Sequence, residues 1–521
     1  VSDNRHTVEH ILAGEDHSAG LGARTALGGV LAIGVQPIRI ILQFIATALL
    51  SRILAPADFG LIASAVILTN LVGIFSDLGL STATVQIKTL DQRVSSSLFW
   101  LGLIFGLGLM PLLWFAAPWM GVVFKDPRVA LLTYAISPTL AISALGAQHW
   151  AIIVRTMQWF TMHWVGLLSH AIGAFAGVVA ALVFHAGYWS LVVSLYGASI
   201  SATLGVWYYC RWRPSLVIDL TASRKALSVG MGLTGFSFVN YFHRQLDNFI
   251  VGAVAGVVQL GLYSRAYQLM MMPITIFNKA LTSAMEPALS RVQDQPERWR
   301  AAYLEALVLV TLLGVGTASC MIAAGRPLIV LLYGEKWSGT ATIFEWLSAS
   351  AFAGVPVETV GWIYVSLGHS RRMFIWSLIF TPIVGAGFLI GVRYGAVGVA
   401  MSYAIVMNLA LIPAFLFATR KTPVKTSSIL VRVLPIILFG IASALIGRNI
   451  VDAHWPLFAR LVLSTGAAGL SFVIPVGAMV LLLPCYAGVR ARILQLSMSA
   501  LSTIRTRING VRGRRRASGA S

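Results

Sequence analysis

Apolar stretches longer than about 18 residues recur along most of this chain, each long enough to cross a hydrocarbon core of ~30 Å as a helix. Lipid offers no partner to a free backbone N–H or C=O, so only helices or closed barrels span it. The runs here are continuous rather than alternating, which selects helices. Composition agrees. The chain is 57% hydrophobic and 11% charged over 521 residues, with a mean hydropathy of +0.81, against about 25% charged in soluble domains. The expected fold is therefore an all-α polytopic membrane protein.

About fourteen spans are expected, at 27–50, 59–81, 96–117, 129–150, 162–184, 187–208, 226–252, 260–284, 303–324, 341–366, 372–391, 394–417, 427–448 and 459–484. The connections are short, and none is long enough for a soluble catalytic domain. An even count puts both termini on one side. With that side cytoplasmic, about 25 Arg/Lys fall inside and about 8 outside. The net charge of +20 thus reads as a positive-inside pattern, not as a nucleic-acid surface. The densest inner connections hold Arg211, Arg213, Arg224 and Lys225, then Arg420, Lys421 and Lys425. The tail with Arg505, Arg507, Arg512, Arg514, Arg515 and Arg516 is expected to rest on anionic lipid heads or to stay solvated. Residues 1–26 are polar and mixed in charge, unlike a signal peptide. Val1 is expected of a GTG start codon read literally or of a trimmed Met, a pointer to bacteria. Cys210, Cys320 and Cys485 lack CxxC spacing, so neither a disulfide framework nor a zinc site is expected.

The chain also repeats itself at an offset of about 201 residues. LSRILAPADFGLIASA (50–65) aligns with VGAVAGVVQLGLYSRA (251–266), pairing Gly60 with Gly261, then Asp77 with Asn278 and Ser81 with Thr282. Spans 6 and 12 pair likewise. Six spans separate the copies, so they share orientation: a parallel repeat of two six-helix lobes, with spans 13 and 14 outside it. The expected divisions are a cytoplasmic tail (1–26), an N-lobe (27–210), a cytoplasmic linker (211–225), a C-lobe (226–420), the two extra helices (421–485) and a basic cytoplasmic tail (486–521).

Polar groups at bilayer depth cost at least ~2.5–3.5 kcal/mol when charged and so face a cavity or a partner. Span 1 carries Gln36, Arg39 and Gln43 on one face, and span 2 carries Asn70 and Asp77. Span 7 holds Asn240, Arg244, Asp247 and Asn248. In span 8, Arg265, Met272, Lys279 and Glu286 fall at heptad spacing, one stripe with a drift of ~20° per step. These are the first two spans of each lobe, and their polar faces are expected to meet around a water-filled, cationic cavity. Arg39, Arg265, Lys279 and Arg244 would attract phosphate, which an Arg fork grips bidentately. The alternatives are that Arg244 and Asp247 neutralise each other and that Arg265 and Glu286 mark the two interfaces. Asp77, Asp247, Glu345 and Glu358 are the acids that could couple a driving cation, although each is also an ordinary structural acid. The pairs His163/His170 and His6/His10 lack further ligands, so no metal or cofactor is expected. There is no Walker loop, GxSxG elbow or HExxH, so neither ATP-driven transport nor hydrolysis is expected.

Three segments carry a resemblance to a family. SRILAPADFGLIASAVILTNLVGIFSDLGLSTATVQ (51–86), LDNFIVGAVAGVVQLGLYSRAYQLMMMP (246–273) with MEPALSRVQ (285–293), and LIVLLYGEKWSGTATIFEWLS (328–348) resemble Wzx-type polysaccharide flippases. These belong to the multidrug/oligosaccharidyl-lipid/polysaccharide exporter superfamily, and the likeness is to the exopolysaccharide and colanic-acid branch. The resemblance implies alternating access that turns an undecaprenyl-pyrophosphate-linked oligosaccharide from the inner to the outer leaflet of a bacterial inner membrane. It implies driving by an ion gradient, the membrane potential or product consumption, and a polymerase with chain-length machinery as partners beside the membrane lipids. Related lipid II flippases have an Arg five residues before the span-8 Pro. Here Gln268 stands five before Pro273, which favours a polysaccharide precursor over a peptidoglycan one. Two alternatives remain. An organic-cation antiporter of the same superfamily would want an acidic cavity. A membrane-embedded polymerase or acyltransferase would want a long outer loop or an intramembrane His–acid pair.

Overall fold

The computed structural model describes residues 21–491 and 495, apart from 78, 88–89 and 451–453, with side chains described only in part over 21–37, 220–243 and 277–280. The tails with His6, His10 and the six terminal arginines therefore lie outside the described residues. Within them the chain is helical and holds no strand. The helices are α1 (Leu21–Ile53), α2 (Pro56–Asp77), α3 (Leu80–Gln86), α4 (Gln92–Val123), α5 (Pro127–Ile136), α6 (Pro138–Arg155), α7 (Trp159–Leu182) and α8 (Trp189–Tyr209). Then come α9 (Leu220–Ile250), α10 (Val257–Arg291), α11 (Pro296–Tyr333), α12 (Gly339–Glu358), α13 (Val360–Ser366), α14 (Ser370–Gly391), α15 (Gly395–Ala418), α16 (Thr426–Asn449) and α17 (Leu457–Leu482). Every expected span coincides with a helix or a broken pair of helices. Among the described residues, nine helical stretches are long and apolar enough to cross a membrane by length and composition.

The breaks have local causes. Span 2 stops at Asp77 and resumes at Leu80 because Gly79 takes φ 65°, a left-handed conformation that glycine adopts at little cost. The Asp77 carboxylate then serves the new helix, accepting from the Ser81 N–H at 3.3 Å and its hydroxyl at 2.6 Å. α2 itself begins with Pro56, whose missing N–H costs nothing in a first turn. Asp58 reaches back to the Ala55 N–H at 2.8 Å, a reciprocal cap.

Contacts gather the chain into two compact units. The first is Val1–Arg265 with Leu332–Thr340 and Phe388–Val399; the second is Ala266–Leu331, Ala341–Gly387 and Ala400–Ser521. The division falls inside α10, so α9 and the first turns of α10 pack with the first six spans. In the first unit α7 and α8 pack closely through Gly173, Gly177, Ser194 and Ala198, small residues that let helix backbones approach in lipid. Residues 211–219, the first part of the segment expected as a cytoplasmic linker (211–225), are strapped to the start of α4. Trp100 donates to the Ser215 carbonyl at 2.8 Å, Gln92 to that of Arg213 at 2.8 Å, and Trp212 to Gln92 Oε1 at 2.6 Å. Trp212 is wholly enclosed by Leu90, Phe99, Ile152, Val165 and Val206.

The second unit centres on α11. Trp299 stacks on Tyr303 with centroids 5.3 Å apart and donates to Ser366 at 3.2 Å. Ser319 donates to the Gly440 carbonyl of α16 at 2.8 Å. The two extra helices, α16 and α17, pack on each other, and Tyr486 donates to the Arg432 carbonyl at 2.7 Å to tie off their end.

Inside the first unit the repeat becomes visible as a contact. A Cβ on Gly60 would run into the Val257 carbonyl, and a Cβ on Gly261 would run into that of Pro56. Residues 56 and 257 are related by the same offset as 60 and 261. Each copy thus places its fifth helical residue against the first residue of the other, as a two-fold axis between α2 and α10 requires. Substituting Gly60→Ala or Gly261→Ala is expected to cost about 1–3 kcal/mol through overpacking, read as a lowered unfolding temperature in detergent. Gly108→Ala, where nothing lies within 4 Å of the added carbon, leaves that temperature unchanged. Equal behaviour of all three would deny the close crossing.

Candidate functional site

The three signature segments converge beside this crossing. Trp337, in the short 3-10 turn after α11, is fully buried; it donates to the Ser51 carbonyl at 2.8 Å and meets Phe59 edge-on at 5.3 Å. Lys336 donates to the Arg52 carbonyl at 2.9 Å, and Arg52 Nε to that of Leu332 at 3.2 Å. These bonds satisfy carbonyls at the ends of α1 and α11 that no helical turn can reach. Gly334, at φ 94°, lets the chain turn from α11 into the contact. Lys336 lies beyond the helix ends, and burial pulls its ammonium below the usual lysine range.

Arg265 stands one turn along α10 from Gly261, with its guanidinium over the Phe59 ring at 4.6 Å. Its Nε is enclosed and makes no hydrogen bond, and among the described residues no acid pairs with it. A cation over an aromatic face gains about 0.5–2 kcal/mol, far less than an ion pair with phosphate would supply in the same enclosure. It is therefore a held but unneutralised charge.

Asp247 is one of the four acids that could couple a driving cation. Asp247 is 6% exposed and turned toward α10, where Tyr263 donates to it at 2.9 Å; the Asn248 N–H donates at 2.7 Å. Asn248 also donates from its amide to Gln245 Oε1 at 3.1 Å, so it too belongs to the α9–α10 hairpin. Arg244, on the same helix, is exposed and forms no ion pair with Asp247, so the expected mutual neutralisation does not occur. Asn70 and Gln43 are exposed, and Arg39 is half-buried on α1 within electrostatic range of His163 on α7. Gln268 is exposed in the part of α10 that belongs to the second unit, and Met272 and Glu286 are half-buried there. The side chains of Gln36 and Lys279 lie outside the described residues.

In the second unit the two remaining acids have partners. Glu345 faces Arg448 across α12 and α16 at 3.2 Å and packs on Gly325. Glu358 accepts a short hydrogen bond from Asn278, the residue that the repeat aligns with Asp77. Among the described residues no three His, Cys, Asp or Glu cluster as metal ligands. Sequence reading missed Gln148, His149 and Trp150, three polar-tipped residues in a row inside span 4. His149 is buried and stacks on Trp207 at 4.3 Å. Polarity inside an apolar run was the available signal.

A helical membrane carrier is the class that the fold defines. The family model described as polysaccharide biosynthesis protein matches residues 49–342, and the chain belongs to that family. It is similar to the lipopolysaccharide biosynthesis protein WzxC of Escherichia coli (strain K12), 22% identical with 73% of this chain and 77% of the relative covered. It is similar to the succinoglycan biosynthesis transport protein ExoT of Rhizobium meliloti (strain 1021), 23% identical with 70% and 74% covered. Among solved structures, the lipid II flippase MurJ in an inward closed conformation matches with a TM-score of 0.66 at 15% identity, covering 87% of this chain and 100% of that one. An inward-facing multidrug resistance MATE family transporter of the MOP superfamily matches with a TM-score of 0.54 at 16% identity, covering 76% and 98%. The likeness to Wzx-type proteins read from the three signatures stands, and the solved structures share the fold.

Trp337→Phe keeps the ring and loses the bond to Ser51, so it is expected to cost about 1 kcal/mol. Trp337→Ala is expected to cost about 3–5 kcal/mol. Unfolding temperatures of the purified protein separate the two, and an Ala variant as stable as the Phe variant would show that the ring carries no packing.

Proposed function

We propose that this protein carries undecaprenyl-pyrophosphate-linked oligosaccharide repeat units from the inner to the outer leaflet of the bacterial cytoplasmic membrane, for surface or exopolysaccharide synthesis. The observation that carries this reading is the family match over 49–342, whose two ends fall on the segments that the Trp337–Ser51 bond joins. The transport protein for succinoglycan among its relatives and the lipid II flippase among its fold neighbours support a lipid-linked saccharide. The unneutralised charges support an anionic headgroup. Arg265 is held without an acid among the described residues, Arg39 is half-buried on α1 and Arg244 is exposed on α9. An antiporter for organic cations, the reading that the MATE fold neighbour keeps open, would need the reverse sign there. Both termini are cytoplasmic in this reading, so the crossing of α2 and α10 lies at the periplasmic end. A polymerase and its chain-length machinery would take the product.

Three outcomes are expected. Reporter fusions after Ser223 and Lys421 give cytoplasmic signals, and fusions near Gly256 and Asp452 (the latter outside the described residues) give periplasmic ones; a periplasmic N-terminus would overturn the charge argument. Arg39→Ala and Arg265→Ala each cut export at least about tenfold at normal protein level, a loss of ~1.4 kcal/mol or more in transport free energy, and Lys restores part of it. Collapse of protein level in both assigns them to folding, and full export in both removes them from the path. Cells lacking the protein hold the labelled lipid-linked unit in the inner leaflet. Equal outer-leaflet amounts with and without it, in a strain with no second flippase, sink the translocation reading, and new sensitivity to cationic dyes would put the antiporter in its place.

A further inference from the structure

A cavity of about 320 Å³ lies inside the first unit, bounded by α2, α3, α4, α6 and α8. It is separate from the cationic residues described above. Its volume falls at the lower end of the ~300–1,000 Å³ found for small-molecule sites. It sits at one end of these helices. Asp77 ends α2, Leu98 and Phe99 lie in the second turn of α4, Gln148 and Trp150 are within two turns of the end of α6, and Thr203 and Val206 are near the end of α8. That end is the one on which the positive-inside pattern places the cytoplasm.

The hydrogen-bond inventory of the wall is unbalanced. Ser76 donates its proton to the Gly73 carbonyl at 2.7 Å, Ser81 to Asp77 at 2.6 Å, and Thr203 to the Ile142 carbonyl at 2.8 Å. Each hydroxyl proton is spent, and each oxygen keeps its lone pairs for the cavity. Asp77 uses Oδ1 for both bonds from Ser81, and among the described residues Oδ2 has no partner. Donors are few. The Trp150 N–H makes no hydrogen bond among the described residues. Gln148, 3% exposed, has an amide nitrogen with no partner. Thr84 lies 3.1 Å from the Gln148 carbonyl but already directs its single proton to Leu80 at 2.9 Å. Whichever way round the Gln148 amide stands, one of its polar ends is left unsatisfied. A buried amide without a partner costs about 1–3 kcal/mol and calls for a ligand that supplies one.

We propose that this cavity is a saccharide subsite, which receives one sugar residue of the lipid-linked unit, neutral or amino-bearing but not acidic. The inference rests on the translocation reading above and adds where and how the sugar is read. A wall rich in acceptors, with one carboxylate and three donors (the Trp150 N–H, the Gln148 amide and the one hydroxyl proton left over by the Ser143–Ser199 pair, 3.3 Å apart), suits a ring whose hydroxyls are donors. It repels phosphate and a uronic acid alike, so the pyrophosphate goes elsewhere. Trp150, half-buried in the wall, offers an apolar ring to the C–H side of a pyranose, the mixture of an aromatic wall and few polar groups typical of such sites. A lone cation would need its oxygen ligands drawn in to about 2.0–2.6 Å, which a space of this size does not impose. Ser143 is exposed, so the cavity reaches the surface there.

The test uses the full chain in lipid nanodiscs and ligand-observed saturation-transfer NMR. The probes are methyl glucoside, methyl galactoside, methyl glucosaminide and methyl glucuronide, with sodium chloride and inorganic phosphate in separate arms. At least one neutral or amino glycoside is expected to bind saturably in the millimolar range. Gln148→Leu, which keeps the volume and removes the amide, weakens binding at least about tenfold, that is ~1.4 kcal/mol. Ala202→Phe, which fills the cavity, abolishes it; should this variant not accumulate, Gln148→Leu decides. Absence of binding by every glycoside, a preference for the glucuronide, or equal binding by Gln148→Leu overturns the proposal. So does stabilisation by sodium that Asp77→Asn removes while glycosides have no effect, since that makes the cavity a cation site. Should the subsite fail while the protein is still needed for leaflet transfer, translocation stands without it. Should leaflet transfer prove independent of the protein, the translocation reading falls even where glycosides bind.

Discussion

The crossing of Gly60 and Gly261 is the contact on which the rest of the first unit depends. Two helix starts approach until the carbonyl of one fills the space where the other would carry a side chain. In lipid there is little hydrophobic gain from pairing helices, and close backbone packing must supply it. Everything adjoining the crossing follows from that approach. Phe59, next to Gly60, and Arg265, one turn beyond Gly261, are brought ring to guanidinium. Trp337 fills the remaining space and ties off the end of α1. The pairing is reciprocal at the repeat offset, so a duplicated sequence that conserved the small residue at the fifth helical position makes the joint with itself.

Polar groups in this chain divide by what surrounds them. Asp247, Glu345 and Glu358 are answered by Tyr263 and Asn248, by Arg448, and by Asn278. An acid already paired within the protein holds helices in register and has less to offer a substrate. Arg265, Gln148 and Oδ2 of Asp77 are not answered among the described residues. Unsatisfied groups of opposite character in one unit are what a substrate with an anionic head and a hydroxylated body would leave behind on departure.

Most of the fold was legible in the sequence because lipid imposes one rule, internal satisfaction of the backbone, and hydropathy reports it. The fourteen spans came from that rule, the parallel repeat from the alignment of Gly60 with Gly261, and the family likeness from the resemblance of the three signature segments. Partners were harder to read. Helical spacing placed Asp247 one turn from Arg244, but the hairpin through Gly256, at φ 89°, turns Tyr263 onto the acid instead. The helix break at Gly79 made a cap of Asp77, where an unbroken span 2 would have left it on a polar stripe. Glu345 met Arg448 from a helix outside the repeat, a pairing no periodicity encodes. Gln148 and Trp150 were passed over because span 4 was scanned for charge, whereas an uncharged amide in an apolar run carries the same desolvation argument at lower cost.

A carrier for a lipid-linked saccharide must recognise two unlike moieties and let go of both. Holding pyrophosphate and sugar in one basic pocket would bind the head tightly and leave the sugar to chance, since hydroxyls gain little from a field of guanidinium groups. With the proposed saccharide subsite, the first unit would separate the tasks. Its cations lie on α1, α9 and α10, and its acceptor-lined cavity lies behind α2 among α4, α6 and α8. Sign keeps each moiety out of the other's place: phosphate is repelled by Asp77, and a neutral ring gains nothing over a hydrated arginine. Discrimination then comes from the cost of mismatch as much as from attraction. A sugar bearing a carboxylate would enter an acidic cavity unpaired, and a headless sugar would lack the charge that draws it to the protein. Such an arrangement lets affinity for either part remain modest, which a protein that must release its cargo on the far side requires.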